Sequence, residues 1–291
     1  MNFVNMQELY RDMERWEREL PQFDAVCGVP RSGMIPAAYI AIRRNIRLVE
    51  ITDLLRQPDG AIGRAPMRKT NPIMRDNRPC GNRLLIVDDA SSVNSVTFRD
   101  LQKRLQDQTS LDISYGAVYR ASSASVVDHY FREVPHPRMF GWNWYRHWWM
   151  RQGLCDLDGV LCEDWTGPSE QDNDPVFMAH MKNAKPLYIP DVPVQAVVTS
   201  RLERYRDITK GWLREHGVSY DRLVMHPAAT PEDRRSANDH ARRKAAEYER
   251  DSKSTIFIES DVRQATAIHQ ITGKPVLCTD TMRMISKASE A

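Results

Sequence analysis

The sequence predicts an α/β protein of two domains, and three observations carry that expectation. The chain has 291 residues, more than one typical domain of ~100–150 residues uses. Strand-like and helix-like patterns alternate along it, as a parallel sheet requires. Two apolar runs each deliver a close pair of aspartates into a polar turn: "LLIVDDASSVNSVT" (Leu84 to Thr97) and "CDLDGVLCED" (Cys155 to Asp164). A hydrophobic share of 41% beside 27% charged residues is that of a folded globular chain, so both halves are expected to fold.

The elements follow in order. From Met6 to Leu20, the residues Met6, Leu9, Tyr10, Met13, Trp16 and Leu20 recur at helical spacing until Pro21, which predicts an amphipathic helix. "FDAVCGVPRSGMIPAAYIAIRR" reads as strand, tight turn and helix, and "IRLVEITDLL" reads as a further strand. Gly60 to Arg83, rich in Arg and Lys with Asp76 as its single acid, is expected to be a mobile loop. The first acidic motif then ends a strand, Thr97 to Leu105 makes a helix, and "ISYGAVYRA" another strand. "FGWNWYRHWWM" carries four of the seven tryptophans, read first as core and second as a platform for a sugar or a membrane interface. The second acidic motif follows, then "VQAVVTSRLERYRDITKGWLREHGV" and "STIFIESDVRQATAIHQITGKPVLCTD", both strand-and-helix units. The boundary is placed near residue 150, giving domains 1–150 and 151–291.

Charge and cysteine content narrow the function. A net charge of +2 argues against a nucleic-acid binder, so any anion site is local. Five scattered cysteines (Cys27, Cys80, Cys155, Cys162, Cys278) show no paired metal-ligand spacing and read as reduced thiols of a cytoplasmic protein. No signal-peptide pattern opens the sequence, and no run approaches the ~18 apolar residues of a membrane span.

In the first half, "GVPRSG" (Gly28 to Gly33) combines backbone N–H groups with a guanidinium, which suits a pyrophosphate at a strand-to-helix turn. "VDDASSVNSVT" offers carboxylates for ribose hydroxyls and an associated Mg²⁺, then hydroxyls for a phosphate. Their order, with a basic segment between, resembles type I phosphoribosyltransferases. The resemblance implies that Asp88 and Asp89 meet the ribose of phosphoribosyl pyrophosphate. It places Ser91, Ser92, Asn94, Ser95 and Thr97 around the 5-phosphate, and Arg31, Ser32 and Gly33 at the pyrophosphate. Arg64, Arg68 and Lys69 are then candidates to meet the leaving group. Where that family has Thr-Thr-Gly-x-Thr this chain has Ser92, Val93, Asn94, Ser95, Val96 and Thr97, with Asn94 placed to supply the left-handed backbone that Gly normally gives. His129 and His136 are the weakly favoured candidates for a base in the transfer step.

In the second half, Asp156-x-Asp158-Gly159-Val160 after a strand resembles the haloacid dehalogenase superfamily of phosphohydrolases. The resemblance implies that Asp156 is the nucleophile and Asp158 the acid and base, with Thr199 binding phosphate and Lys244 neutralising charge. Asp156, Asp158, Glu259 and Asp261 would be the Mg²⁺ site. Arg243 and Lys253 are rivals for the lysine's role. The short span from Asp158 to Ser200 leaves little room for an inserted cap domain.

Both halves then read as Rossmann-like domains, an N-terminal type I phosphoribosyltransferase fold and a C-terminal capless haloacid dehalogenase-like fold. "PRMFGWNWYRH", "CDLDGVLCEDW" and "VVTSRLERYR" together resemble fusions connected with bacterial polysaccharide synthesis. That resemblance implies transfer of 5-phosphoribofuranose to a glycan acceptor, lipid-linked acceptors and the inner membrane face included, followed by removal of the 5-phosphate. A homodimer is the family's common state. The alternatives are a nucleotide-metabolising phosphoribosyltransferase with 5'-nucleotidase activity, and a phosphatase regulated by a non-catalytic domain that senses a phosphoribosyl ligand.

Overall fold

The computed structural model describes residues 1–65, 81–123, 126–167 and 175–286. The chain forms two compact units, one of Met6–Arg138 and the other of Met139 onward together with Phe3–Asn5. The division falls ahead of the expected boundary because Met139, Trp144 and Met150 are buried with Cys155, Leu157 and Trp212 in the C-terminal core. The N-terminal strand β1 (Asn2–Val4) pairs with the strand Arg138–Phe140.

The N-terminal unit runs α1 (Met6–Glu19), β2 (Ala25–Gly28), α2 (Met34–Arg44), β3 (Arg47–Val49), α3 (Ile51–Arg56), α4 (Ala61–Arg64), β4 (Arg83–Ser91), α5 (Val96–Leu105), β5 (Asp112–Arg120) and β6 (His129–Glu133). Its sheet has the order β3-β2-β4-β5-β6, all parallel. Numbered within the sheet this is 2-1-3-4-5, so the winding reverses between β2 and β4, and open sheets of this kind bind ligands at the carboxyl ends beside such a reversal. On α1, Leu9, Met13 and Trp16 are buried. Trp16 packs on Gly116, where a Cβ would stand 3.1 Å from the indole. Buried Asp12 accepts from the Tyr119 hydroxyl and from Arg132 Nε, each at 2.8 Å, satisfying a charge that would be costly alone.

Two expectations for this unit change. "IRLVEITDLL" is strand only to Val49; Ile51, Leu54 and Leu55 then place an apolar helical stripe on the core, so the run turns into α3. The Gly60 to Arg83 segment begins as the packed turn α4, because Ala61, Ile62 and Ala65 are apolar and buried. Residues 66–80, with Arg68 and Lys69, lie outside the described residues.

The C-terminal unit runs β7 (Arg138–Phe140), β8 (Gly153–Cys155), α6 (Pro175–Asn183), β9 (Val194–Leu202), α7 (Arg206–Glu215), β10 (Tyr220–His226), α8 (Pro231–Ala237), α9 (His240–Arg250), β11 (Ile256–Glu259), α10 (Val262–Thr272), β12 (Val276–Cys278) and β13 (Arg283–Ile285). Its main sheet has the order β10-β9-β8-β11-β12-β13, parallel except for β13. Within the sheet this is 3-2-1-4-5-6, and its switch point lies between β8 and β11. Trp144 is core, whereas Trp148 is 53% exposed and stacks on Trp149 at 4.2 Å. Cys27, Cys155, Cys162 and Cys278 are buried free thiols, each behaving as a small apolar side chain.

Candidate active sites

The carboxyl edge of the C-terminal sheet gathers one polar cluster. Asp156 follows β8, Thr199 to Arg201 lie near the end of β9, and Glu259 closes β11. Gly159 makes the turn after Asp156 possible: its φ is +80°, and a Cβ there would stand 2.8 Å from that of Ser260. Lys244 projects from α9 and donates to Asp156 Oδ2 and to Glu259 Oε2, both at 2.6 Å, and to Gln264 Oε1 at 3.0 Å. Arg201, itself 3% exposed, forks onto Asp158, with Nη2 2.6 Å from Oδ1 and Nε 3.0 Å from Oδ2. These groups line a cavity of about 440 Å³, together with Ser200, His240 and Trp165.

The electrostatics follow from burial. Burial and then the charge of Asp156 push the Glu259 carboxyl up to about 8, although Lys244 pulls the other way. Burial also raises Asp156, with Asp158 adding repulsion against the pull of Lys244. Burial disfavours the Lys244 ammonium, yet the two acids outweigh it and hold its proton more tightly than usual. Asp158 is different: burial would raise it, but the Arg201 guanidinium dominates and holds it below the ordinary carboxylate range.

One ammonium therefore serves two buried carboxylates. Asp156 Oδ2 and Glu259 Oε2 converge on the Lys244 ammonium, while Asp156 Oδ1 accepts from Leu157 N and Glu259 Oε1 from Ser260 N and Asp261 N; as hard oxygen donors the two carboxylates suit Mg²⁺ by chemistry, but their oxygens are turned to these partners. The structure does not bring the side chains of Asp158 and Asp261 to that ammonium. Asp158 is turned to Arg201, and Asp261 caps α10, accepting from Arg263 N at 2.9 Å and Gln264 N at 2.8 Å. Among the described residues no group of three or more His, Cys, Asp or Glu could hold a metal ion.

Thr199 is buried, its Oγ1 accepting from Arg201 N at 3.1 Å. Ser200 Oγ lies 2.7 Å from His240 Nδ1. Of the rivals to Lys244, Arg243 is half-buried and Lys253 exposed. Arg201, His240 and Gln264 were not singled out from the sequence. The one available signal for Arg201 was its place directly after Thr199 and Ser200 at a strand end.

At the N-terminal switch point the Gly28–Gly33 turn lies against β4. Val29 N donates to Val87 O at 2.9 Å. A Cβ on Gly33 would stand 2.5 Å from Val29 O and 2.9 Å from Asp88 Cα, so the approach requires glycine. Ser32 Oγ donates to Asp89 Oδ1 at 2.8 Å, and Asp88 Oδ1 accepts from Asp89 N at 2.8 Å. Both acids belong to β4 itself rather than to the loop, paired in register with β5. Burial, then the hydrogen bond and charge of Asp89, push Asp88 up to about 9.

The phosphate-loop candidates separate. Ser91 is buried with Oγ donating to Ser92 O at 3.2 Å, and Ser95 caps α5 by accepting from Phe98 N at 3.4 Å. Ser92 is half-buried, and Asn94, Thr97 and Arg31 are exposed. Asn94 does not adopt the left-handed backbone expected of it; among the described non-glycine residues a positive φ occurs at Asn45, Asp107, Asn238 and Met282. Arg64 ends α4. His129 packs edge-on against Phe23, which precedes β2, at the sheet end remote from the acids.

No protein-family model matches the chain, and no curated protein matches it. Among solved structures it is similar to a purine phosphoribosyltransferase from Pyrococcus horikoshii Ot3, at 18% identity and TM-score 0.34 over 48% of this chain and 92% of that one. It is also similar to the Helicobacter pylori xanthine-guanine-hypoxanthine phosphoribosyltransferase, at 12% identity and TM-score 0.34 over 48% and 90%. The orotate phosphoribosyltransferase from Aeropyrum pernix gives 14% identity and TM-score 0.31 over 45% and 77%. Fold and site together define a two-unit α/β protein with an acidic cluster at the switch point of each parallel sheet.

Proposed function

We propose that the chain is a two-site enzyme: the N-terminal unit transfers 5-phosphoribofuranose from phosphoribosyl pyrophosphate to an acceptor hydroxyl, and the C-terminal unit then hydrolyses the 5-phosphate. The observation that carries the second step is the buried Asp156–Lys244–Glu259 cluster in one cavity with the Asp158–Arg201 pair. A carboxylate oxygen of Asp156 attacks phosphorus, the ester oxygen leaves and takes a proton from Asp158, and water then cleaves the aspartyl-phosphate as Asp158 accepts its proton. Arg201 holds Asp158 as carboxylate, which is the form needed for the water step; for the first step Asp158 must first take up a proton. Asp156 and Glu259 would hold Mg²⁺, which supplies charge to the phosphoryl oxygens. Lys244 keeps the Asp156 oxygen in place, and the Thr199 hydroxyl would bind phosphate.

The first step is supported by the geometry of its site. Asp88 and Asp89 lie in the last part of β4 beside a turn that only glycine lets approach, an arrangement suited to a ribose with a pyrophosphate beside it. The N-terminus of α5 offers further N–H donors for a phosphate. A glycan acceptor, lipid-linked at a membrane face or free, a homodimer and cytoplasmic placement belong to this reading. Among the described residues no helix is long and apolar enough to cross a membrane.

The deciding experiment incubates the protein with phosphoribosyl pyrophosphate, Mg²⁺ and candidate glycans, and follows acceptor mass. A gain of ribosyl phosphate followed by loss of phosphate is expected. Donor binding without turnover over a broad acceptor set would sink the transferase reading in favour of a sensing domain, and turnover only with nucleobases would move it to nucleotide chemistry.

A further inference from the structure

The cavity beside Asp156 has an aromatic wall to which the phosphatase reading assigns no role. Trp165 follows the acidic motif and lines the same cavity as Asp156, Asp158 and Lys244. Its indole is held from several sides. Phe177 meets it edge-on at 5.4 Å and His180 lies at 5.2 Å. Gly167 packs on it so closely that a Cβ would stand 2.7 Å from Cε2, so the ring has little room to turn away.

The cavity's volume of about 440 Å³ is more than a phosphate fills and falls in the range of small-molecule sites. The phosphate end is set by Asp156 and Lys244, so whatever occupies the rest is the alcohol half of the ester. A half-exposed, immobilised indole next to that space loses little rotamer freedom on binding. Its flat apolar face favours a ring over a flexible chain.

We propose that Trp165 is the specificity-determining residue of the C-terminal site, stacking on a ring carried by the alcohol half of the phosphomonoester. This rests on the phosphatase reading and deepens it by naming the substrate class. The ring comes from one of two sources, the C–H face of a sugar or the plane of a nucleobase, and the same contact serves both.

The test compares kcat/KM for ribose 5-phosphate, a nucleoside 5'-monophosphate and ringless glycerol 3-phosphate, in the wild type, W165A and W165F. The ratio of ring-bearing to ringless substrate should fall about tenfold in W165A, mostly through KM, and recover in W165F. Which of the two ring-bearing substrates falls identifies the source of the ring. An unchanged ratio overturns the proposal. If W165A does not fold, W165L removes the flat face while keeping apolar volume and carries the same comparison. If the wild type hydrolyses none of the three, the phosphatase reading fails by itself. Calorimetric binding of ribose 5-phosphate to wild type and W165A then decides the platform separately, equal affinities overturning it.

Discussion

The two acid pairs sit at equivalent places in two doubly wound sheets, yet they are held in different ways. Asp156 and Asp158 each have a buried base in contact, Lys244 and Arg201 respectively. Asp88 and Asp89 are held by neutral donors, the Asp89 N–H and the Ser32 hydroxyl, while the guanidinium of Arg138 acts on Asp89 through its charge. In the C-terminal pair the neighbouring cation outweighs burial at Asp158 but not at Asp156. In the N-terminal pair burial and the neighbouring acid favour the neutral form of Asp88, a balance that an added cation would shift.

The largest effect expected from breaking this contrast is on phosphate release. Asp156→Asn should lower it by roughly a thousandfold or more while transfer continues, so a phosphoribosylated acceptor accumulates. Loss of both activities with the fold intact, seen by circular dichroism and acceptor mass, would refute the sequential scheme. Asp89→Ala is the mirror experiment: pyrophosphate release should stop while a generic phosphomonoester is still hydrolysed, and parallel loss of both would mean the sites are not independent.

Lys244→Met should destabilise the protein by about 3 kcal/mol or more in urea unfolding, because it leaves Asp156 and Glu259 buried without their ammonium. A midpoint within error of wild type would show that the cluster relaxes or admits water.

A last contrast concerns pH. The folded pKa of Asp88, about 9, lies above its unfolded value of roughly 3.9. The stability it contributes is therefore fully present below the unfolded value and is lost as pH rises through the folded one. Between about pH 4 and about pH 9 the unfolding midpoint of the ligand-free protein should decline for this reason, and Asp88→Asn should flatten that decline. An unchanged slope in the variant would assign the pH dependence to other groups.

Much of this architecture was legible in the chain because strands that end in acids and turns announce themselves locally. The two sheets and the parallel sense of all their strands but β13 follow from the alternation of strand and helix patterns. "IRLVEITDLL" misled because a short apolar run satisfies strand and helix patterns alike; its first part is the strand Arg47–Val49, and from Ile51 on it is a helix with Leu54 buried. The choice among Arg243, Lys244 and Lys253 was open in sequence. The phase of α9 turns Lys244 inward to Asp156 and Glu259, while Arg243 is half-buried and Lys253, beyond the helix, is exposed.

By itself the sequence determined which side chains are available and that each acid pair belongs to a strand-and-turn unit, since those depend on neighbours a few residues apart; that β4 runs past Asp88 and Asp89 to Ser91 came from its pairing with β5. Only the tertiary structure decided their partners. Arg201 reaches Asp158 across 43 positions and Lys244 reaches Asp156 across 88, pairings made by strand order and helix phase. The same holds for Asp261, whose carboxylate the start of α10 uses as a cap, and for Trp165, which Gly167 and Phe177 press into the cavity wall. Charge compensation acts over a few ångströms in space, and distance along the chain does not measure it.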